Sequence, residues 1–205
     1  MSVSLNVNPL LTTTAAGLFD INSAGYVQGD AQADPNHKFN LAQAYLDPTA
    51  AAPIWAGMPV TETIPVAAAA GTGPGSNLGN MVDIATTDAN TTAFVVGNQA
   101  FSGIITPQSP APLFLPGGSV NIYRLGSGAR VPLPATNALV AALLGEATNT
   151  QVIWNFSTNQ LDVYSSGTAL GVKAILLVST TGNWVITYAN GVATWGAGNL
   201  VLVQL

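Results

Sequence analysis

The sequence predicts a mainly β protein: an antiparallel sandwich or barrel, with a jelly-roll-like form as one alternative, one short helix and an extended N-terminal arm. Short apolar segments with period-two alternation recur between turns rich in Gly and Asn, which is typical of sandwiches and barrels. Only the segment 136–146 has apolar residues at helical spacing, with Thr136 or Asn137 available to cap it.

The N-terminal arm is expected to cover residues 1–19. Val3, Leu5 and Val7 alternate with Ser and Asn residues, which predicts an extended strand. A strand of this kind can add to the exposed edge of a neighbouring sheet. These three residues are therefore candidate interface residues.

Residues 20–205 are expected to form a single β-rich domain, because this length suits one large β domain. A proline-rich connector at 106–118 is the alternative boundary for a subdivision. The first half predicts strands at Val60–Ile64, Met81–Ala85, Ala93–Val96, Phe101–Ile105 and Ser119–Leu125, and the segment Phe39–Tyr45 is compatible with a short helix.

After residue 150 the pattern predicts a β meander. Its strands are expected at Gln151–Phe156, Leu161–Tyr164, Val172–Val178, Trp184–Tyr188, Val192–Trp195 and Leu200–Gln204. The dipeptide Asn190-Gly191 between two alternating apolar runs is a strong signal for a two-residue hairpin.

The composition excludes several classes of function. Charged residues make up 6% of the chain, against roughly 25% in a typical domain. A net charge of -5 argues against a nucleic-acid partner. The apolar runs are too short for a membrane-spanning helix, so no membrane partner is expected.

No motif predicts an enzyme, a metal site or a cofactor. The Gly-rich segment 71–75 lacks the Lys-Ser/Thr pair of a phosphate-binding loop. The turn at Gly126-Ser127-Gly128 does not match the nucleophile-elbow pattern. His37 is the only histidine, and the chain has no cysteine, so neither a thiolate site nor a catalytic dyad is indicated.

Three further residues are candidates for an interface. Trp55 lies in a Pro-flanked loop, where it can either cap the edge of the core or anchor a partner. Arg124 and Arg130 are the only arginines, and each is expected to have a carboxylate or backbone partner in the chain or its oligomer.

Several short motifs occur in an order that resembles the structural cement, or head decoration, proteins of tailed bacteriophages. In chain order they are Gly25-Tyr26-x-Gln28-Gly29, the Asp34-Pro35 turn, Pro53-Ile54-Trp55-Ala56-Gly57-Met58-Pro59-Val60-x-Glu62, Phe94-x-Val96-x-Asn98-Gln99-Ala100, Thr106-Pro107-Gln108-Ser109-Pro110, Tyr123-Arg124-Leu125-Gly126-Ser127-Gly128-Ala129-Arg130 and Trp154-Asn155-Phe156. The resemblance spans about residues 20–165.

The resemblance implies a non-enzymatic virion protein without a cofactor. Such a protein binds the outside of the capsid shell as a homo-oligomer, a dimer or a trimer, and stabilises contacts between major capsid subunits. It is made and assembled in the cytoplasm of the bacterial host. Two alternatives are another virion component, of tail or capsid, and a carbohydrate-binding β domain that uses an exposed Trp55 or Tyr26.

Overall fold

The computed structural model describes residues 26–31, 40–63, 80–97, 104–106, 109–144, 150–176 and 183–205. Within these ranges the chain is mainly β, with fourteen strands and one α-helix. The elements are β1 (Ala42–Leu46), β2 (Pro59–Thr63), β3 (Asn80–Ile84), β4 (Ala93–Val96), β5 (Ile104–Thr106), β6 (Ser109–Leu113), β7 (Ser119–Arg124), β8 (Arg130–Pro134), α1 (Asn137–Leu143), β9 (Val152–Asn155), β10 (Gln160–Val163), β11 (Lys173–Leu176), β12 (Trp184–Ala189), β13 (Val192–Ala197) and β14 (Leu200–Gln204).

Five strands close into a barrel in the order β1-β3-β2-β4-β7. The predicted fold class is confirmed in its barrel form, with one short helix. The barrel is mixed, because β1 and β3 pair in parallel while the other neighbouring pairs are antiparallel. Its apolar interior contains the fully buried side chains Leu46, Val60, Val82, Val95 and Ile122. Burying each such side chain contributes roughly 1.5–3 kcal/mol.

Strand β4 is buried on both of its faces. Ala93 and Val95 belong to the apolar cluster of the barrel, whereas Phe94 and Val96 belong to a second cluster. The second cluster also takes side chains from β7, β8, α1, β9, β10, β11 and β14. The Phe94 ring meets Trp154 edge-on, with ring centroids 5.8 Å apart. Two cores therefore lie on opposite faces of one strand.

The helix begins where the sequence predicts. Thr136 is the N-cap residue, and its hydroxyl accepts a hydrogen bond from the backbone N–H of Leu139 at 3.2 Å. Leu139 and Leu143 are the buried residues of α1, and they pack into the second cluster. The same hydroxyl donates to Asp162 at 2.9 Å, which ties the helix to β10.

The meander expected after residue 150 is wrong in part. The hairpins β9–β10 and β12–β13 form, and Asn190 and Gly191 turn the second one with φ values of 52° and 78°. However, β11 pairs with β14 rather than with β12, and β14 also pairs with β8. The last strand thus returns to an earlier part of the chain instead of continuing a sequential sheet.

The helix expected around Phe39–Tyr45 is also wrong, because β1 occupies most of that segment. Ala44 and Leu46 are buried while Gln43 is exposed, which is the period of a strand. Pairing with β3 and β7 supplies the backbone hydrogen bonds and overrides the helical tendency of the local sequence.

The segment expected to be a proline-rich connector contains β6, and β8 was not expected at all. In β6, Pro110 and Pro112 alternate with buried residues, and the strand pairs with β5 alone among the described strands. In β8, the N–H of Ala135 donates to the carbonyl of Asn199, next to β14. Because backbone N–H groups alternate in direction along a strand, the nitrogens of Pro132 and Pro134 face away from β14, where no N–H is needed for the pairing. Proline is therefore compatible with both strands.

Candidate interaction sites

Arg124 and Glu62 form a bidentate ion pair at one mouth of the barrel. Nε and Nη2 of Arg124 donate to the two carboxylate oxygens of Glu62, each at 2.6 Å. Glu62 shares a face of β2 with Val60, and Arg124 shares a face of β7 with Ile122. Because Val60 and Ile122 face the interior, the ion pair lies over the barrel opening where β7 ends.

The surroundings hold Glu62 in place for this contact. Its backbone N–H donates to the Thr92 hydroxyl at 2.6 Å, and its side chain is 14% exposed against 46% for Arg124. The hydrogen bond from Arg124 to Glu62 raises the pKa of the guanidinium. A specific carboxylate partner for Arg124 within the chain is thus confirmed, although no sequence motif identified Glu62 as that partner.

We expect Arg124→Ala to lower the free energy of unfolding by about 1 kcal/mol, the upper end for a partly exposed ion pair. Arg130→Ala is the matched control and should change it by less than about 0.5 kcal/mol. Urea unfolding of both variants measures this, and the difference should shrink in about 1 M salt, where charges are screened. Equal losses in the two variants would contradict the structural role of the pair.

Arg130 has a different environment from Arg124. It is the first residue of β8, it is exposed, and it lies opposite Gln204 in the sheet. Among the residues that the structure describes, no carboxylate pairs with its guanidinium. The carboxylate or backbone partner expected for Arg130 in the chain or its oligomer is therefore not a described carboxylate of this chain, and the exposed side chain is accessible to another molecule.

Trp55 is a core residue in this chain. Its side chain is 4% exposed, and its ring stacks on Tyr188 with centroids 5.0 Å apart. Of the two interpretations that the sequence left open, capping the core edge describes this geometry. A carbohydrate site that needs an exposed Trp55 is not available at this position. Val3, Leu5 and Val7 lie outside the described residues, so the arm remains a prediction.

The segment Tyr26–Asp30, here named the strap, is anchored to the rest of the protein by the buried side-chain amide of Gln28. Gln28 is 2% exposed, and its Nε2 donates to the carbonyl of Ala56 at 2.8 Å. Its Oε1 accepts the backbone N–H of Ile186 at 2.8 Å. The strap thereby links the Ala56-Gly57 turn of the barrel to the β12–β13 hairpin.

Two glycines allow the strap to approach the barrel closely. Gly29 has φ +72°, and a Cβ added there would lie 2.6 Å from both the Ala56 Cβ and the Gly57 nitrogen. Gly57 has φ +83°, and a Cβ added there would lie 2.9 Å from the Gln28 side chain. The carbonyl of Gly29 also accepts the N–H of Gly97 at 2.9 Å. Backbone therefore packs on backbone, which only glycine permits.

These contacts bring together motifs that are far apart in the sequence. The strap contacts the Trp55–Met58 turn and the end of β4, and Glu62 contacts Arg124. All of these residues lie within the motif segments named above, but nothing in a single sequence indicates that they touch. The sequence feature common to the strap contacts is glycine, at Gly29, Gly57 and Gly97. A single sequence does not show that these glycines lie next to one another.

The acidic side chains of the described residues are dispersed. They contain no group of three or more His, Cys, Asp or Glu side chains that could hold a metal ion. None of the helical segments in the described ranges has the length and hydrophobicity needed to cross a bilayer. Among the described residues, the arrangement provides a β scaffold with two exposed arginines, of which Arg130 has no carboxylate partner.

Comparisons with known proteins give no family assignment. The chain matches no protein-family model. Searches of curated proteins and of solved structures likewise find no similar protein.

Proposed function

We propose that the protein is a non-enzymatic component of a tailed-phage virion. It binds the outside of the capsid shell as a dimer or trimer and stabilises contacts between major capsid subunits. One observation carries the proposal: four of the motif segments that resemble cement proteins are in mutual contact. Gln28 and Gly29 meet Ala56, Gly57 and Gly97, and Glu62 meets Arg124. The motifs whose order resembles that of cement proteins thus contribute to one connected part of the fold.

The surface chemistry supports an assembly role. A chain with 6% charged residues has few side chains to desolvate when it packs against neighbours. Many copies on one shell convert modest single contacts into strong binding by avidity. The accessible guanidinium of Arg130 is suited to a carboxylate on the shell surface.

Binding to expanded empty shells assembled from the major capsid protein tests the proposal directly. The protein should cosediment with these shells, and electron microscopy should show density on their outer face. A protein that leaves the shells bare at every concentration would reject this function. A copy number far below that of the capsid subunits would instead favour a tail component.

A matched pair of arginine variants makes the test specific. Arg130→Ala should weaken shell binding by about fivefold per subunit, since an exposed ion pair contributes up to about 1 kcal/mol. Arg124→Ala should leave shell binding nearly unchanged, because Glu62 already engages that guanidinium. If Arg124→Ala weakened shell binding more than Arg130→Ala did, Arg130 would not be part of the proposed contact.

A further inference from the structure

Three residues on neighbouring strands form one row across the sheet β8–β14–β11. Arg130 of β8 pairs with Gln204 of β14, and Gln204 pairs with Lys173 of β11. Residues that are paired across antiparallel strands share a face of the sheet, so all three lie on the same face. Two strand spacings place the Cα atoms of Arg130 and Lys173 about 10 Å apart. These three residues are named the basic row.

The basic row lies on the face of the sheet that is turned away from the second cluster. The residues next to its members along the three strands belong to that cluster: Val131, Val203 and Ala174. On the outward face, Leu202 packs against Val185 of β12 and Leu200, so the neighbouring part of this face is covered. At the row itself, Arg130 is exposed and Gln204 is half-buried. The row therefore lies at the open end of the outward face.

The basic row concentrates positive charge in a protein that is acidic overall. The chain has a net charge of -5, with four Lys and Arg residues against nine Asp and Glu residues. The strands β8, β11 and β14 contain two of these four basic residues and no acidic residue. In the described ranges the basic residues are Arg124, Arg130 and Lys173, and Arg124 is paired with Glu62. The other two both belong to the basic row.

This set of residues is suited to carboxylate ligands. The guanidinium of Arg130 can donate two parallel hydrogen bonds to one carboxylate. The amide of Gln204 can donate to a carboxylate beside it, and a lysine at the other end of the row brings a second positive charge. Carboxylates on alternate residues of an extended segment are about 7 Å apart, which is within the length of the row.

We propose that the basic row binds a pair of carboxylates presented by an acidic segment of a partner protein. In the proposed function that partner is the capsid shell, and the site rests on the proposed function for the identity of its partner alone. A nucleic acid is a poorer fit, since a duplex carries one negative charge for about every 1.7 Å of its length. Such a polyanion would extend past the row along a protein with a net charge of -5.

Nuclear magnetic resonance titration of the native chain with hexaglutamate tests the site. The backbone amide signals of the basic row should shift at low salt and return toward their free positions in about 1 M salt, where charges are screened. The same peptide with Gln in place of Glu should leave these signals unchanged. Arg130→Ala and Lys173→Ala should each weaken hexaglutamate binding about fivefold, which is the upper end for one exposed ion pair.

Arg124→Ala is the matched control for Arg130→Ala. Both substitutions remove one positive charge from the chain, but Glu62 already engages Arg124, which lies outside this sheet. The control should therefore bind hexaglutamate like the native chain. Arg130→Lys keeps the charge and loses the two parallel hydrogen bonds, so its affinity should fall between those of the native chain and Arg130→Ala. Circular dichroism should show that each variant is folded.

Three results would overturn the basic row as a carboxylate site. The first is that its amide signals do not shift at any concentration of hexaglutamate. The second is an equal loss of binding in Arg124→Ala and Arg130→Ala, because such a loss would follow net charge and not position. The third is tighter binding of a single-stranded oligothymidylate of equal charge, which would assign the row to a phosphate backbone instead.

Failure of this site and failure of the capsid role are distinguishable, because no shell is present in the titration. A protein that binds hexaglutamate at the basic row but leaves shells bare would retain the site and overturn the capsid role. Shell binding that Arg130→Ala and Lys173→Ala both leave unchanged would retain the capsid role and overturn the row as its contact.

Discussion

Gly29→Ala is expected to lower the free energy of unfolding by about 2–5 kcal/mol. A left-handed backbone at an L-residue costs about 1–2 kcal/mol, and overpacking a filled interior costs about 1–3 kcal/mol more. Both apply, since Gly29 has φ +72° and an added Cβ would lie 2.6 Å from Ala56 and Gly57. Denaturant unfolding followed by tryptophan fluorescence measures the loss.

Gly191→Ala separates the two contributions. Gly191 has nearly the same backbone angle, φ +78°, but nothing lies within 4 Å of an added Cβ. It should therefore lose only the backbone part, about 1–2 kcal/mol. If both variants lost the same free energy, the close approach of the strap to the Ala56-Gly57 turn would not be a source of stability.

Gln28→Ala is expected to cost a comparable amount, about 2–6 kcal/mol. The substitution leaves the Ala56 carbonyl and the Ile186 N–H without their partners inside the protein. Each unsatisfied buried group costs roughly 1–3 kcal/mol. Thermal and urea unfolding should both show this loss of free energy. In hydrogen exchange, the backbone amides of the β12–β13 hairpin should exchange faster than in the native chain, and by a larger factor than those of the barrel strands.

Gln43→Ala is the matched control, because it removes the same type of side-chain amide from an exposed position. Gln43 is exposed on β1, and its Nε2 donates only to the Ser119 hydroxyl at 2.9 Å. Water can replace that contact, so the change in the free energy of unfolding should stay within about 0.5 kcal/mol. A loss as large as that of Gln28→Ala would mean that burial does not distinguish the two amides.

Local patterns in the sequence predict the elements whose signals are local. The cap at Thr136 and the apolar spacing after it predict α1, and Asn190-Gly191 predicts the β12–β13 hairpin. The sequence did not predict the strands β6 and β8, because each contains two prolines and proline usually interrupts a strand. For β8, only its register with β14 shows that Pro132 and Pro134 occupy positions without a ladder hydrogen bond.

Pairings between distant segments could not be predicted in this way. The parallel pairing of β1 with β3 and the return of β14 to β8 depend on the closed fold, which no window of sequence contains. The scarcity of charge made Arg124 conspicuous, yet its partner Glu62 is 62 positions away. Trp55 shows the same limit, because its loop setting fits both a buried and an exposed ring until Tyr188 is placed beside it.

The burial of β4 on both faces has a mechanical consequence. This strand is hydrogen-bonded to β2 and β7 on its two sides and is packed between the two apolar clusters. A load applied to the barrel would therefore pass through β4 into the second cluster rather than separate the two. Under tension the barrel and the second cluster should therefore unfold together rather than one after the other.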